Sequence, residues 1–95
     1  MKSTERSIID AYLAKLNIMS KRYSISQKAF LKGIGKRIRT LRKEAGFSQE
    51  TLAFNSHLDR SYIGSVERGE KNPSAISLKK MAKPLDVKPY ELLKV

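Results

Sequence analysis

An all-α fold is predicted for this 95-residue chain by three features. Apolar residues recur three and four positions apart along most of it. No stretch alternates apolar and polar residues as a strand would, and Ser, Asp and Gly stand where helices would start and stop. The length fits one domain with a small core, short enough that pairing with a second copy would add stability.

Composition narrows the function. Twenty Lys and Arg stand against nine Asp and Glu, a formal net charge of +11, so a polyanion is the expected partner, nucleic acid ahead of a membrane surface. Nine of the basic residues lie between 21 and 43 with no acid among them: Lys21, Arg22, Lys28, Lys32, Lys36, Arg37, Arg39, Arg42 and Lys43. Any one of them reads as a solvated charge, but a like-charged block repels itself, which is tolerable beside phosphates. With no Cys and one His, disulfides, thiolate nucleophiles and cysteine-ligated zinc are excluded, and His57 alone builds no metal site. No cofactor is expected. The acids stand mostly beside bases rather than paired with one another, which leaves an enzyme without its usual groups. There is no long apolar run and no signal-peptide pattern in residues 1–20, so a cytoplasmic protein without a membrane segment is expected.

The elements follow in order. Residues 1–26 read as an amphipathic helical arm and linker, with Ser3 as cap and Ile8, Ile9, Tyr12, Leu13 and Leu16 on one stripe. Ser20, Ser24 and Ser26 among basic residues mark the linker. Residues 27–95 form the main domain. Its first helix is expected from about Gln27 to Ala45, with Phe30, Ile34, Ile38, Leu41 and Ala45 inward and Gly46 as its stop, while Gly33 and Gly35 weaken its first half. Ser48 caps a helix whose Leu52 and Ala53 face inward. After a tight connection at 55–58, Asp59 caps a further helix that Gly69 closes. Phe47, Leu78, Met81, Leu85 and Val87 are assigned to the core. Pro89 suits the first turn of a last short helix. Two helices joined by about four residues, the first with a small inward Ala and the second with a polar outward face, form a helix-turn-helix signal over 48–69.

On "SQETLA", "LDRSYIGSVERGEKNPS" and the closing "YELL", residues 34–93 resemble the lambda-repressor/Cro-like, Xre-type helix-turn-helix family, and Tyr62 to Gly69 with its upstream residues further resembles the controller proteins of restriction-modification systems. The resemblance implies a compact five-helix bundle, here with the extra N-terminal helix, and a regulator that binds double-stranded DNA. In such motifs the N-terminal residues of the second helix enter the major groove. Arg60 is the first choice for base readout, since a guanidinium can grip guanine O6 and N7; a surface arginine or a phosphate contact is the plainer reading. Ser61, Tyr62 and Ser65 join it, Tyr62 against a thymine methyl or a sugar-phosphate edge.

Phosphate contacts are expected from Ser48 and Gln49 at a helix N-terminus, and from Arg68, Lys71 and Asn72 beyond the reading helix. The family also implies that Arg42 pairs with Glu67 as a structural link. Thr51 stands where many members have Glu, so half of a capping box is missing. His57 occupies a turn position favouring Gly or Asn and is expected at positive φ. Pro84 should end the fourth helix, and Asp86 stands where Gly usually terminates it. Tyr90, Leu92, Leu93 and Val95 are expected at a homodimer interface, the arrangement that would set two reading helices about 34 Å apart on a palindrome. No small-molecule effector is expected.

The arm stripe needs cover from its own domain, a second copy or another protein. Met19 as an alternative start would give a chain of the usual family length, but the regular stripe upstream argues against it. The competing reading is an antitoxin-like module whose arm wraps a protein partner while the helix-turn-helix regulates its own promoter. Charge alone would produce sequence-unspecific binding.

Overall fold

The structure, a computed structural model, describes residues 23–95. The expected arm helix and the first half of its linker, residues 19–22, lie outside the described residues. Four α-helices follow one another: α1, Ile25–Glu44; α2, Gln49–Ser56; α3, Arg60–Glu67; and α4, Ala75–Ala82. A 3-10 helix, Pro89–Leu93, ends the bundle. The expectation of five helices is therefore corrected to four and a 3-10 turn. Five residues gain little from an α ladder, and i→i+3 bonding suits so short a piece. The Glu91 carboxylate accepts from the Lys88 N–H at 2.7 Å, and the Glu91 N–H donates to the Lys88 carbonyl.

Helix α1 begins earlier than Gln27 because Ser24 is its cap. The Gln27 N–H donates to Ser24 Oγ at 3.2 Å and the Ser24 N–H donates to Gln27 Oε1 at 3.0 Å. This reciprocal box satisfies two helix-end donors. Its signal, Ser-x-x-Gln, stands in a stretch that otherwise reads as linker. The buried stripe of α1 is Leu31, Ile34, Gly35, Ile38 and Arg42. Phe30 was expected on it and is instead 48% exposed, because the stripe runs through Leu31, one position and about 100° further round the helix. Ala45, past the last turn, is also exposed, and Leu41 is half-buried.

Gly35 has a packing role where weakness was expected. A Cβ there would collide with the carbonyl oxygens of Val66 and Glu67, so glycine is what lets α1 cross the end of α3 at backbone contact. Around that crossing, Ile38, Leu52, Ile63, Met81 and Leu92 have no exposure at all. Leu78 and Leu85 are buried as expected, and Phe47 and Val87 pack at the rim of the core.

The turns behave largely as the residues require. His57 takes the left-handed conformation at φ 57°, and so does Asp86. α4 ends at Ala82, two residues before Pro84, consistent with proline's missing N–H and its clash with the preceding turn. Asp59 occupies the cap position of α3, but its side chain accepts no bond there. Among the described residues no helix is long and apolar enough to cross a membrane.

Candidate nucleic-acid interface

The orientation of α3 is set by three apolar anchors. Ile63 and Val66 are buried and Leu58 is half-buried against the core, which turns the N-terminal end of α3 outward. Arg60 and Ser61 are exposed there, and Tyr62 is half-buried with its ring packed on the core. Ser65 was expected one turn further along the outward face. It is only 7% exposed, and its hydroxyl donates to the Tyr62 carbonyl at 2.9 Å. A short side chain bonded back onto its own helix does not project, and the reach assigned to it is corrected accordingly. Beside it Gly64 leaves no side chain between Arg60 and Arg68. The guanidinium of Arg68 lies 3.1 Å from where a Cβ on Gly64 would be.

The start of α2 lies next to this face and is held by a network centred on Glu67. Arg42 donates through Nε to Glu67 Oε2 at 2.6 Å and through Nη2 to Oε1 at 3.0 Å; its Nη1 donates to the Phe47 carbonyl at 2.9 Å. Both side chains are nearly buried, at 9% and 3% exposure, and a forked, fully bonded pair of this kind is the geometry in which burial is tolerable. The resemblance implied the Arg42–Glu67 pair; no sequence reading implied its third member. Gln49 donates from Nε2 to Glu67 Oε1 at 3.1 Å. An amide nitrogen has two hydrogens, so one orients Gln49 on Glu67 and the second is not used in that bond. Ser48 caps α2, accepting from the Thr51 N–H at 3.0 Å while the two hydroxyls meet at 2.9 Å. That hydroxyl contact stands where a capping-box carboxylate was missing.

Past α3, Arg68, Lys71 and Asn72 are exposed. Arg68 is engaged with Glu70, Nε to Oε2 at 2.9 Å and Nη2 to Oε1 at 3.2 Å. The hydrogen bond from Arg68 is the main cause that holds the Glu70 carboxyl below its ordinary value, and the same bond raises the guanidinium. Both side chains are exposed, so the pair is weak and can exchange for another anion.

At the other end of the molecule Tyr90, Leu93 and Val95 are exposed at 61%, 41% and 60%, whereas Leu92 is fully buried. Leu92 therefore belongs to the core of its own bundle and is removed from the expected interface. The 3-10 winding aims it inward, and Arg37 holds the segment by donating to the Glu91 carbonyl at 3.2 Å. Lys94 lies over the Tyr90 ring, 5.4 Å from its centre. Among the described residues no group of acids, His or Cys is placed to hold a metal ion.

Comparison with known proteins agrees with this architecture. The helix-turn-helix family HTH_3 matches residues 38–92, and the chain belongs to that family. It is 42% identical over 60 residues to Control protein C.BamHI of Bacillus amyloliquefaciens, an alignment covering 62% of this chain and 74% of that protein. Its fold is similar to the crystal structure of the restriction-modification controller protein C.AhdI from Aeromonas hydrophila, with a TM-score of 0.66 and 55% identity over 67% of this chain and 97% of that one. It is also similar to SinR, a master regulator for biofilm formation crystallised in complex with DNA, with a TM-score of 0.62 and 42% identity over 64% and 98% of the two chains.

Proposed function

We propose that this chain is a sequence-specific DNA-binding transcriptional regulator that acts as a homodimer on a palindromic operator, as the controller of a restriction-modification operon or as a phage-type repressor. The observation that carries the reading is an exposed Arg60–Ser61 end on α3 together with a Ser48–Gln49 end on α2 that Glu67, at the other end of α3, holds against the same helix. One end offers groups for base edges; the other offers free N–H groups and an amide for a phosphate. In this reading Arg60 takes guanine, Ser61 and the edge of Tyr62 contact the neighbouring pair or its sugar, and Ser65 supports Tyr62 from within the helix. Ser48, Gln49, Arg68, Lys71 and Asn72 take phosphates.

Tyr90, Leu93 and Val95 form the two-fold contact. Val95 sits against Gly33, its Cβ 3.0 Å from where a Cβ there would be, so the patch continues onto α1 toward half-exposed Phe30. Occupancy is set by the amount of protein, with no small-molecule effector.

Selection of bound duplexes from a random pool at about 150 mM salt tests the reading, because non-specific binding is weakened there. A two-fold symmetric motif with half-sites about one turn apart is expected. Recovery of an unenriched pool would contradict it and favour the antitoxin-like alternative.

A further inference from the structure

The nine-residue basic block of the sequence is only partly absorbed by the site above. Within it Arg42 is buried against Glu67 and Arg37 bonds the Glu91 carbonyl. Lys21 and Arg22 lie outside the described residues, and Lys28, Lys32, Lys36, Arg39 and Lys43 remain. At about 100° per residue these five fall within an arc of about 80° on α1. Lys28 is half-buried and the other four are exposed. Among the described residues the ion pairs are Arg42–Glu67 and Arg68–Glu70, and neither includes any of the five.

Two contacts locate this stripe relative to the reading helix. Gly35 and Arg42 border the arc, and both touch the end of α3: Gly35 lies under the Val66 and Glu67 carbonyls and Arg42 is bound to Glu67. Gly69, at φ 75°, closes the turn after α3 directly on Lys32, with the backbone of Lys32 2.8 Å from where a Cβ would stand. The stripe therefore runs beside the C-terminal end of the reading helix and beside the loop that carries Lys71 and Asn72. Three of its neighbouring pairs, Lys28–Lys32, Lys32–Lys36 and Arg39–Lys43, are like charges four residues apart, an arrangement that weakens a helix. A polyanion alongside would reverse that effect.

We propose that the Lys28, Lys32, Lys36, Arg39 and Lys43 stripe of α1 is a second phosphate-binding surface, which extends the DNA contact past Lys71 and Asn72 onto the flanking backbone without reading bases. It rests on the DNA-binding reading above and adds residues that reading does not use. Lys28 and Lys32, nearest to the Gly69 turn, carry most of it.

The test is a fluorescence-anisotropy titration of the full chain between 50 and 200 mM salt, on its selected duplex and on a random-sequence duplex. Lys28→Ala/Lys32→Ala is expected to flatten the slope of log affinity against log salt by about two units, so that the loss over this range becomes about tenfold smaller. Both duplexes should show it, and the selected motif should be unchanged. Lys28→Arg/Lys32→Arg should keep the original slope. Lys80→Ala/Lys83→Ala is the control, since those lysines lie on α4 and its C-terminal cap and line a cleft with Phe47, Asn55 and His57 that takes in no residue of α3 or of the stripe. An unchanged slope in the α1 variant, an equal change in the control, or an altered motif would each overturn the stripe. Failure of the unmodified chain to select any motif would instead overturn the regulator reading, and the random duplex would still decide the stripe.

Discussion

Arg60 and Glu67 stand seven residues apart on one short helix and answer to different physics. Arg60 is exposed and unconstrained by packing, so Arg60→Ala should leave the melting temperature unchanged and remove about 1–3 kcal/mol of discrimination at one guanine. Glu67 is nearly buried among Arg42 and Gln49. Glu67→Ala leaves a buried guanidinium without its partner, and a loss of about 3–5 kcal/mol is expected in denaturant unfolding. Glu70 lies in solvent and pairs with Arg68, so under the proposed reading it competes with phosphate for that guanidinium. Glu70→Gln should therefore tighten binding to all sequences alike, by about fivefold at 150 mM salt for one recovered phosphate contact.

The pH dependence of that pair has a definite sign. The Glu70 carboxyl is lowered in the folded chain, so its small contribution to stability is present above its ordinary value and lost as pH falls through the folded one. Protonation in that acid window also releases Arg68. The positions of these side chains were unequally legible in the sequence. Arg60 could be placed from the apolar anchors around it, whereas Ser65 was misplaced because periodicity gives a direction and not whether a short hydroxyl bonds back to its own helix.

At the scale of elements, the close approach of α1 to α3 is the feature periodicity could not supply. Gly35 looked like a weak point in a helix and is the place where two backbones meet. Gly35→Ala gains helix propensity of about 1 kcal/mol, yet must push α3 away. A net loss of about 1–2 kcal/mol in thermal unfolding is expected, by the usual cost of overpacking. The turn before α3 gives the opposite case. His57 holds φ 57°, and His57→Gly should stabilise the fold by about 0.5–1 kcal/mol because a left-handed residue without Cβ is unstrained. That position was legible from turn chemistry. The start of α1 was not, because Ser24 and Gln27 were hidden in a run of serines and bases, and the last segment was expected as a full helix where five residues sustain only a 3-10 turn.

For the whole molecule, the all-helical architecture and the placement of a helix with an exposed N-terminal end at Arg60 and Ser61 followed from stripes, caps and charge. What failed there was the division between core and interface. Leu92 and Phe30 exchanged places relative to expectation: the first is buried and the second half-exposed. Phe30 lies next to a stripe that passes through Leu31, and Leu92 lies in a 3-10 turn, so in each a phase change of about one residue turns a side chain from inside to outside. The surviving surface of Tyr90, Leu93 and Val95 makes a concentration-dependent prediction. Leu93→Glu/Val95→Glu should sediment as a monomer where the unmodified chain sediments as a dimer. It should also lose binding to a two-site duplex far more than to a half-site, since linked sites depend on effective concentration.

The central claim is that α3 reads bases through Arg60, and it is tested most directly by a binding cycle. The unmodified chain and Arg60→Ala are each titrated with the selected duplex and with duplexes in which each guanine of the half-site is replaced in turn. The account predicts that one replacement costs the unmodified chain about 1–3 kcal/mol, and costs Arg60→Ala nothing. Equal penalties for both proteins at every guanine would contradict it, and would leave Arg60 as one more phosphate contact.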